Sequence, residues 1–371
     1  MDLSYFEVSS EHAPMSGIDE YLIHNYPHPV RVMWTSDPRA YERLWFTAQD
    51  KVGELFMVCG LGFYPNLHTA EAYVIVNYRG EHRSVHSHRK LGDNRMDLRI
   101  GPINYQVVEP FKEWRLTLGE NEWDIEMDLR WFDTKRAVFQ QLGAGMVTGG
   151  RVHGHTSGYE TFGEQEGTIT FKGEKLPLTR AEFNGSRDHH WGVRDGVGGP
   201  KHWLGSKWPM SGQWVEFGGW SLWSPRVLYN LGDPRPGAGM TVHREHRLRF
   251  EEHSKIPVSG EIDIVLQNGD KKTLTFERLG NQIAFLRCGM YGGVNGGTPV
   301  GDYWHGQDLG EVTLGEVHDA NDPEVRKQCT GQDNLHCRFE CDGEVAYGIV
   351  EPVTPVCYEM SVANQMGFSA L

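Results

Sequence analysis

Apolar and polar residues alternate along most of this chain with a period of two. The clearest run is Trp123-Asp124-Ile125-Glu126-Met127-Asp128-Leu129-Arg130-Trp131, apolar at every odd position and charged at every even one. That period turns the odd set inward and the even set to water, which predicts a half-buried strand. Further strands are predicted at 53–60, 71–78, 104–108, 114–118, 167–171 and 214–223. In the second half they continue at 246–250, 260–266, 272–277, 310–314, 337–340 and 344–350. Asn268-Gly269 between two such runs is a two-residue hairpin signal. Helix signals are few. Residues 30–46, with Ser36-Asp37-Pro38 as a start, are read as irregular or helical. Residues 321–327 carry Pro323 at a first helical position. Many short antiparallel strands at about ten-residue spacing predict an all-β chain of sandwiches or barrels. The length fits two units, 1–196 and 197–371, divided near Gly196-Val197-Gly198-Gly199-Pro200.

Composition supports this and narrows the partners. With 12 Trp, 14 Tyr, 16 Phe and 45 Gly among 371 residues, sheets joined by tight turns are favoured over helical bundles. A net charge of −14 argues against nucleic acid and anionic membrane as partners, since phosphate contacts need clustered Lys and Arg. The basic run 82–90 (HRSVHSHRK) is the exception and reads as a solvated hairpin edge. No apolar run is long enough for a spanning helix, and residues 1–17 show no secretory pattern, so a cytoplasmic protein is expected. The six cysteines form no CxxC pair and are expected as reduced, buried thiols. Nothing in composition decides oligomeric state, and a homodimer stays open.

Three stretches carry chemistry. In GSRDHHWGVRD (185–195), strand alternation places Arg187, His189 and Trp191 on one face and Asp188, His190 and Arg194 on the other. Either His189 and Trp191 line an apolar cavity, or the polar set ties two units together. The tryptophan face can stabilise a carbocation, and a carboxyl raised in pKa by burial can protonate an alkene. In residues 214–223, Trp214, Glu216, Gly218 and Trp220 share a face, making Glu216 the candidate acid among tryptophans. Third, His153-x-His155-x4-Glu160-x6-Gly167 has cupin-like spacing, although the glycine expected six residues earlier falls at Val147. It would hold Fe, Mn or Zn, and a satisfied strand-end histidine pair competes with it. Tyr303-Trp304-His305 is a candidate to close the other end of a pocket. No nucleophile-elbow, P-loop, HExxH or dinucleotide-binding motif is present.

Ser186-Arg187-Asp188-His189-His190-Trp191-Gly192-Val193-Arg194 resembles the Asp-His-x-Trp-Gly signature of the hydroxyneurosporene synthase family, the AttH/CrtC-like carotenoid 1,2-hydratases, and more distantly tocopherol cyclases. The resemblance implies two tandem lipocalin-like antiparallel barrels and a cofactor-free addition of water to an apolar isoprenoid. It also matches His189 and Trp191 to the family's His and Trp, and Asp188 to its Asp, which is expected to orient the histidine. Glu216 would stand where the family's acid is an Asp, a departure that leaves the proton donor open.

The leading expectation is therefore a cofactor-independent lyase, hydratase or isomerase for an apolar isoprenoid, steroidal or aromatic molecule. Its catalytic residues would be Asp188, His189, Trp191 and Glu216. Substrate would be held by Arg187, His190, Arg194, Trp214, Trp220, Tyr303, Trp304 and His305. The rivals are a non-catalytic lipid or isoprenoid carrier and a cupin-like oxygenase using His153, His155 and Glu160.

Overall fold

A computed structural model describes residues 17–24, 27–137, 139–148, 151–194, 196–199, 211–223, 226–229, 238–252, 256–266, 268–289, 303–329 and 333–352. The glycine-rich segment 291–302, Cys357 and the side chain of His153 lie outside what it describes.

The chain is all-β, as the alternation predicts. Four strands open it as a meander: β1 (Ala40–Asp50), β2 (Leu55–Tyr64), β3 (Thr69–Tyr78) and β4 (Glu81–Lys90). β5 (Arg99–Ile100), β6 (Ile103–Glu109), β7 (Glu113–Leu118) and β8 (Ile125–Asp133) follow. Next come β9 (Gln140–Thr148), the long β10 (Arg151–Phe171), β11 (Glu174–Leu178) and β12 (Phe183–Val193). The second half contributes β13 (Ser211–Glu216), β14 (Trp220–Trp223), β15 (Arg226–Tyr229), β16 (Ala238–Phe250), β17 (Pro257–Leu266) and β18 (Lys271–Phe285). It ends with β19 (Val312–Asp319), a short helix α1 (Pro323–Cys329), β20 (Asp333–Cys341) and β21 (Glu344–Pro352).

These strands build two curled antiparallel bodies. The first is a 13-stranded sheet in the order β19-β4-β3-β2-β1-β12-β10-β8-β7-β6-β5, with β9 and β11 also paired to β10. It curls far enough for the Tyr105 hydroxyl on β6 to donate to the Tyr73 carbonyl on β3 (3.0 Å). The second is a closed barrel, β13-β14-β15-β16-β17-β18-β20-β21, an eight-stranded meander interrupted in chain order by β19. β19, from beyond the expected 196/197 boundary, instead pairs with β4 and completes the first sheet.

Two faces of β1–β3 are buried at once. Leu44, Phe46, Met57, Cys59 and Val74 join Trp114, Leu129 and Trp131 inside the curled sheet. Their neighbours Trp45, Phe56, Val58, Tyr73 and Ile75 pack with Val215, Phe276, Phe285, Leu335 and Ile349 of the barrel. Strands covered on both sides need no polar face, which is why 55–60 reads as an unbroken apolar run. β8 has one wet face: Ile125, Met127, Leu129 and Trp131 are buried and Glu126, Asp128 and Arg130 exposed, as its pattern predicts. The Asn268-Gly269 hairpin is present, with Gly269 at φ +90° between β17 and β18. Helix α1 starts at Pro323, and Asp322 accepts from the Glu324 N–H (2.8 Å).

Three local expectations are corrected. Residues 40–46 are strand, not helix. Ser36-Asp37-Pro38 leads into a turn closed by Ala40 N–H to Asp37 O (3.0 Å), after which β1 is claimed by β2 and β12 on either side. Residues 214–223 are not one strand: Phe217-Gly218-Gly219 turns the chain, and Trp214 lies opposite Trp223. The run 82–90 is no solvated edge. β4 is buried along nearly its whole length: β19 pairs along its edge, Val85 joins the inner core, and His82 and His86 pack on Phe285 and Tyr303.

Asn77 shows how the two bodies are fastened. β18 leaves its ladder with β20 between Arg278 and Ile283, so the carbonyls of that irregularity need other donors. The Asn77 amide on β3 donates to Asn281 O and Ile283 O (2.9 Å each), and its own oxygen accepts from Gly80 N–H. Asn77→Ala strands two carbonyls and is expected to cost about 2–4 kcal/mol in urea unfolding. An unchanged midpoint would show that this amide does not hold barrel to sheet.

Candidate functional site

The chemistry-bearing strand, β12, lies in the middle of the first sheet between β1 and β10. Its register sets Arg187 opposite Phe46 and Thr161, Asp188 opposite Trp45 and Glu160, and His189 opposite Leu44 and Tyr159. His190 faces Arg43 and Gly158, and Trp191 faces Glu42 and Ser157. Alternation then separates the motif into two groups on opposite sides of one strand.

The group on the inner, concave side begins deep in the core. The Arg187 guanidinium is fully buried, and it donates from Nε and Nη2 to the two oxygens of Asp133 on β8 (2.8 and 2.7 Å). It lies over the rings of Trp114 and Tyr159 (5.8 and 5.2 Å) and donates from Nη1 to the Tyr159 hydroxyl (3.1 Å). Tyr159 in turn meets His189 Nδ1 (3.4 Å), and His189 Nε2 meets Glu42 Oε1 (2.9 Å). A carboxylate can only accept, so Nε2 carries the proton and Nδ1 is free to accept from the tyrosine. Partial desolvation pushes the Glu42 carboxyl up, but the hydrogen bond from His189 and the nearby charge of Arg95 outweigh this and hold it below its ordinary value. The chain of groups runs from core to solvent, with the Arg187 side chain at 0% exposure, His189 at 24% and Glu42 at 47%. Trp191 meets His189 edge-on (5.3 Å), and the exposed rings of Phe139 and Phe111 flank Trp191 and Tyr159 (6.3 and 5.4 Å).

The group on the other side faces the barrel. His190 Nε2 donates to Glu160 Oε1 (2.7 Å), and its Nδ1 lies 3.5 Å from Asp188 Oδ2. Gly158 makes this arrangement fit, since a Cβ there would stand 2.4 Å from the His190 ring. Burial pushes Asp188 up to about 7, with Arg43 and Arg194 pulling the other way and Glu351 of β21 adding to the rise. Burial also lowers His190 well below its ordinary value, reinforced by Arg194, His189 and Arg43. The consistent state is a neutral imidazole that donates to Glu160, beside an Asp188 shifted toward its neutral form. Glu160, Asp188 and His190 offer three ligand atoms within 4.8 Å of one another. Two neighbouring arginines and the neutral preference of Asp188 make that trio a poor cation holder.

The other expected residues fall into separate places. Asp188, expected to orient His189, faces His190 instead, because adjacent strand residues point to opposite sides. Glu42 fills that role for His189. Glu216 is not an isolated acid among tryptophans: it pairs with the buried Lys135 (2.7 Å) and accepts from the Thr134 hydroxyl (2.8 Å). Trp214 packs on Trp45 (5.7 Å) between sheet and barrel, and Trp220 stacks on Phe217 (4.9 Å) beneath Lys272. Arg194 lies over the Tyr41 ring (5.6 Å). His305 is bonded through Nδ1 to Glu71 (2.5 Å) and stacked on Tyr64, a cluster on β2 and β3. Tyr303 meets His86 (5.6 Å), and Trp304 is part of the turn that Gln307 closes. His155 and Glu160 are five residues apart on β10 and so leave it on opposite faces. The cupin-like set is not gathered, and His155 is exposed beside Trp34 (6.4 Å).

Asp133, Tyr159 and Glu42 were missed from the sequence. Tyr159 had a signal, four residues from His155 and so on the same face of a strand that alternates. Asp133 and Glu42 had none, being 54 and 147 residues from their partners.

The β12 motif and its partners Glu42, Asp133, Tyr159 and Glu160 lie within residues 15–216, which match a family of unknown function and make up more than half the chain. The chain belongs to that family, DUF8625. No curated protein matches it. Among solved structures it is similar to an AttH-like protein of Nitrosomonas europaea, with 13% identity, a TM-score of 0.48, and coverage of 85% of this chain and 92% of that one. It is also similar to kievitone hydratase of Nectria haematococca, with 13% identity, a TM-score of 0.48, and coverage of 92% and 96%. CghA in a structure with Sch210972 gives 11% identity, a TM-score of 0.45, and coverage of 85% and 88%. Likenesses this low carry no activity to the chain.

Two measurements test the electrostatics. Asp188 prefers to be neutral in the fold, so its contribution is present below about pH 4, the unfolded value, and is lost as pH rises toward 7. Asp188→Asn should flatten the fall in thermal stability over that window; an unchanged slope would contradict the assignment. Asp133→Ala leaves a buried guanidinium unpaired and should cost about 3–5 kcal/mol. A loss under 1 kcal/mol in denaturant unfolding would mean that Arg187 finds another partner.

Proposed function

We propose that the protein is a cofactor-independent acid–base enzyme, a lyase, hydratase or isomerase, acting on an apolar molecule at the inner face of the curled sheet. One observation carries the reading. A single imidazole, His189, is bracketed by a carboxylate and a phenol, and aromatic rings stand beside it where the sheet meets solvent.

That arrangement can move a proton in either direction. Glu42 fixes the His189 tautomer with Nδ1 as acceptor. Tyr159 gives its proton to Nδ1 when it acts as a base toward substrate, and recovers it when it acts as an acid. Arg187 donates to the phenolic oxygen and stabilises its anionic form, and Asp133 holds Arg187 in place. Trp191, Phe111 and Phe139 supply the apolar contact surface, and the Trp191 π face suits a cationic or electron-poor carbon. Asp188, His190 and Glu160, on the far side, hold β12 against β10 and position the strand that carries His189. The substrate class this favours is an isoprenoid, steroidal or aromatic molecule with an ionisable C–H or a double bond.

A carrier built on the same sheet needs the aromatic rings but not the bracketed histidine. The two readings separate in one experiment. Wild type, His189→Ala and Tyr159→Phe are incubated with a panel of isoprenoid, polycyclic and phenolic alkenes in D2O and in H2(18)O, and products are read by mass. Deuterium or oxygen incorporation should fall at least about 100-fold in both variants, a loss of about 2.7 kcal/mol of transition-state stabilisation. Their circular dichroism should stay that of wild type. Incorporation that survives His189→Ala rules out this site. Tight binding across the panel with no exchange by wild type favours the carrier.

A further inference from the structure

A second cluster of ligating side chains lies far along the chain from His189, where β19 crosses β4. Cys288 sits in the short 3-10 turn Leu286–Gly289 that follows β18, while Glu316 and His318 lie on one face of β19. Their ligand atoms fall within 4.8 Å of one another. One oxygen, Glu316 Oε2, is the point of convergence. His318 Nε2 donates to it (2.6 Å), Cys288 Sγ donates to it (3.7 Å), and Arg287 Nη2 lies at 3.5 Å. Cys288 is fully buried, and Glu316 and His318 are mostly so.

A second observation points to a missing partner. His82 lies directly opposite His318 in the β4–β19 register, is completely buried, and packs its ring 5.9 Å from the His318 ring. Its Nε2 accepts from the Phe285 N–H (3.2 Å), so Nδ1 must be the protonated nitrogen, yet it has no partner among the described residues. A buried imidazole N–H with nothing to donate to is costly. Turning the ring toward a ligand replaces that orphan with a coordinate bond, in exchange for the bond from the Phe285 N–H.

We propose that Cys288, Glu316 and His318 form a structural site for a zinc-like divalent ion, with His82, its ring 5.9 Å from that of His318, turning to supply a fourth ligand. Sulfur, oxygen and two nitrogens make a donor set that zinc accepts in tetrahedral geometry, and a closed, buried site is structural rather than catalytic. Binding replaces protons at this point. The Cys288 thiol releases its proton to solvent and becomes a thiolate on the ion, and His318 moves its proton from Nε2 to Nδ1 so that Nε2 can coordinate. Arg287 remains as a donor to Glu316 and to Cys329, which lies behind it. The ion would fasten β19 and the 286–289 turn, both from the second half of the chain, onto the first sheet.

The test uses the full chain purified in chelator and titrated with Co(II) alone, then with Zn(II) as competitor. One equivalent should produce a thiolate-to-cobalt charge-transfer band and tetrahedral d–d bands that Zn(II) abolishes. Cys288→Ser should remove the charge-transfer band. His318→Ala and Glu316→Gln, at side chains that retain some exposure, should weaken binding at least about 10-fold. Cys341→Ser, a buried cysteine of the barrel, should change nothing. Absence of stoichiometric binding by wild type overturns the proposal, as does a band that survives Cys288→Ser. If Cys288→Ser does not fold, affinity unchanged in both His318→Ala and Glu316→Gln overturns it equally.

Discussion

The ion pair between Arg187 and Asp133 is the constraint on which the rest of the first sheet turns. A guanidinium among Phe46, Trp114 and Tyr159 is tolerable only if both its bonding edges are met, and Asp133 meets one of them in bidentate fashion. The pair spans from β12 to β8 across β10, so three strands must be in register before the charge is satisfied. Trp131 adds a third bond to Asp133, from its indole N–H (2.6 Å). The geometry of Tyr159, and through it His189, follows from where Arg187 is held.

The same strand does two jobs because its side chains alternate. Its inner residues form a graded line from a dry ion pair to an exposed carboxylate. Its outer residues meet the barrel, where a buried Asp188 is held near neutrality. Arg43, on β1, acts on both Asp188 and Glu71, and Glu71 too is raised by burial to about 7. Sheet and barrel are thus joined by apolar packing in one region and by a polar seam in another. Stability and proton chemistry share a backbone without sharing side chains.

Much of this was legible in the sequence. The alternation of 123–131 gave β8, and the parity of 187–191 gave both faces of β12. What misled was density without context. HRSVHSHRK looks solvated because its histidines and arginines are polar, but His82, His86 and His88 are buried and Arg83 reaches Asp124 and the Trp123 carbonyl. WVEFGGWSLW looks like one strand because its glycines keep the alternation in phase through a turn. Glu42 and Asp133 were invisible because each is an ordinary strand residue until a distant segment makes it a partner. The cupin-like spacing misled in the opposite way: two of its members, His155 and Glu160, are separated by an odd number of strand positions, which puts them back to back.

The long-range pairing of β19 bears on how the protein can be made. Ser87 and Thr313, hydrogen-bonded to each other in the finished sheet, are 226 residues apart. A chain emerging from the ribosome can assemble β1–β12 early, but β4 then waits as a bare margin with unsatisfied amides and a row of histidines. The entropic cost of so long a wait grows only slowly with length, whereas the risk of a neighbouring nascent chain pairing there grows with time and crowding. Synthesis of the second half is therefore also the step that shields the first, and translation speed across 200–310 becomes a determinant of yield.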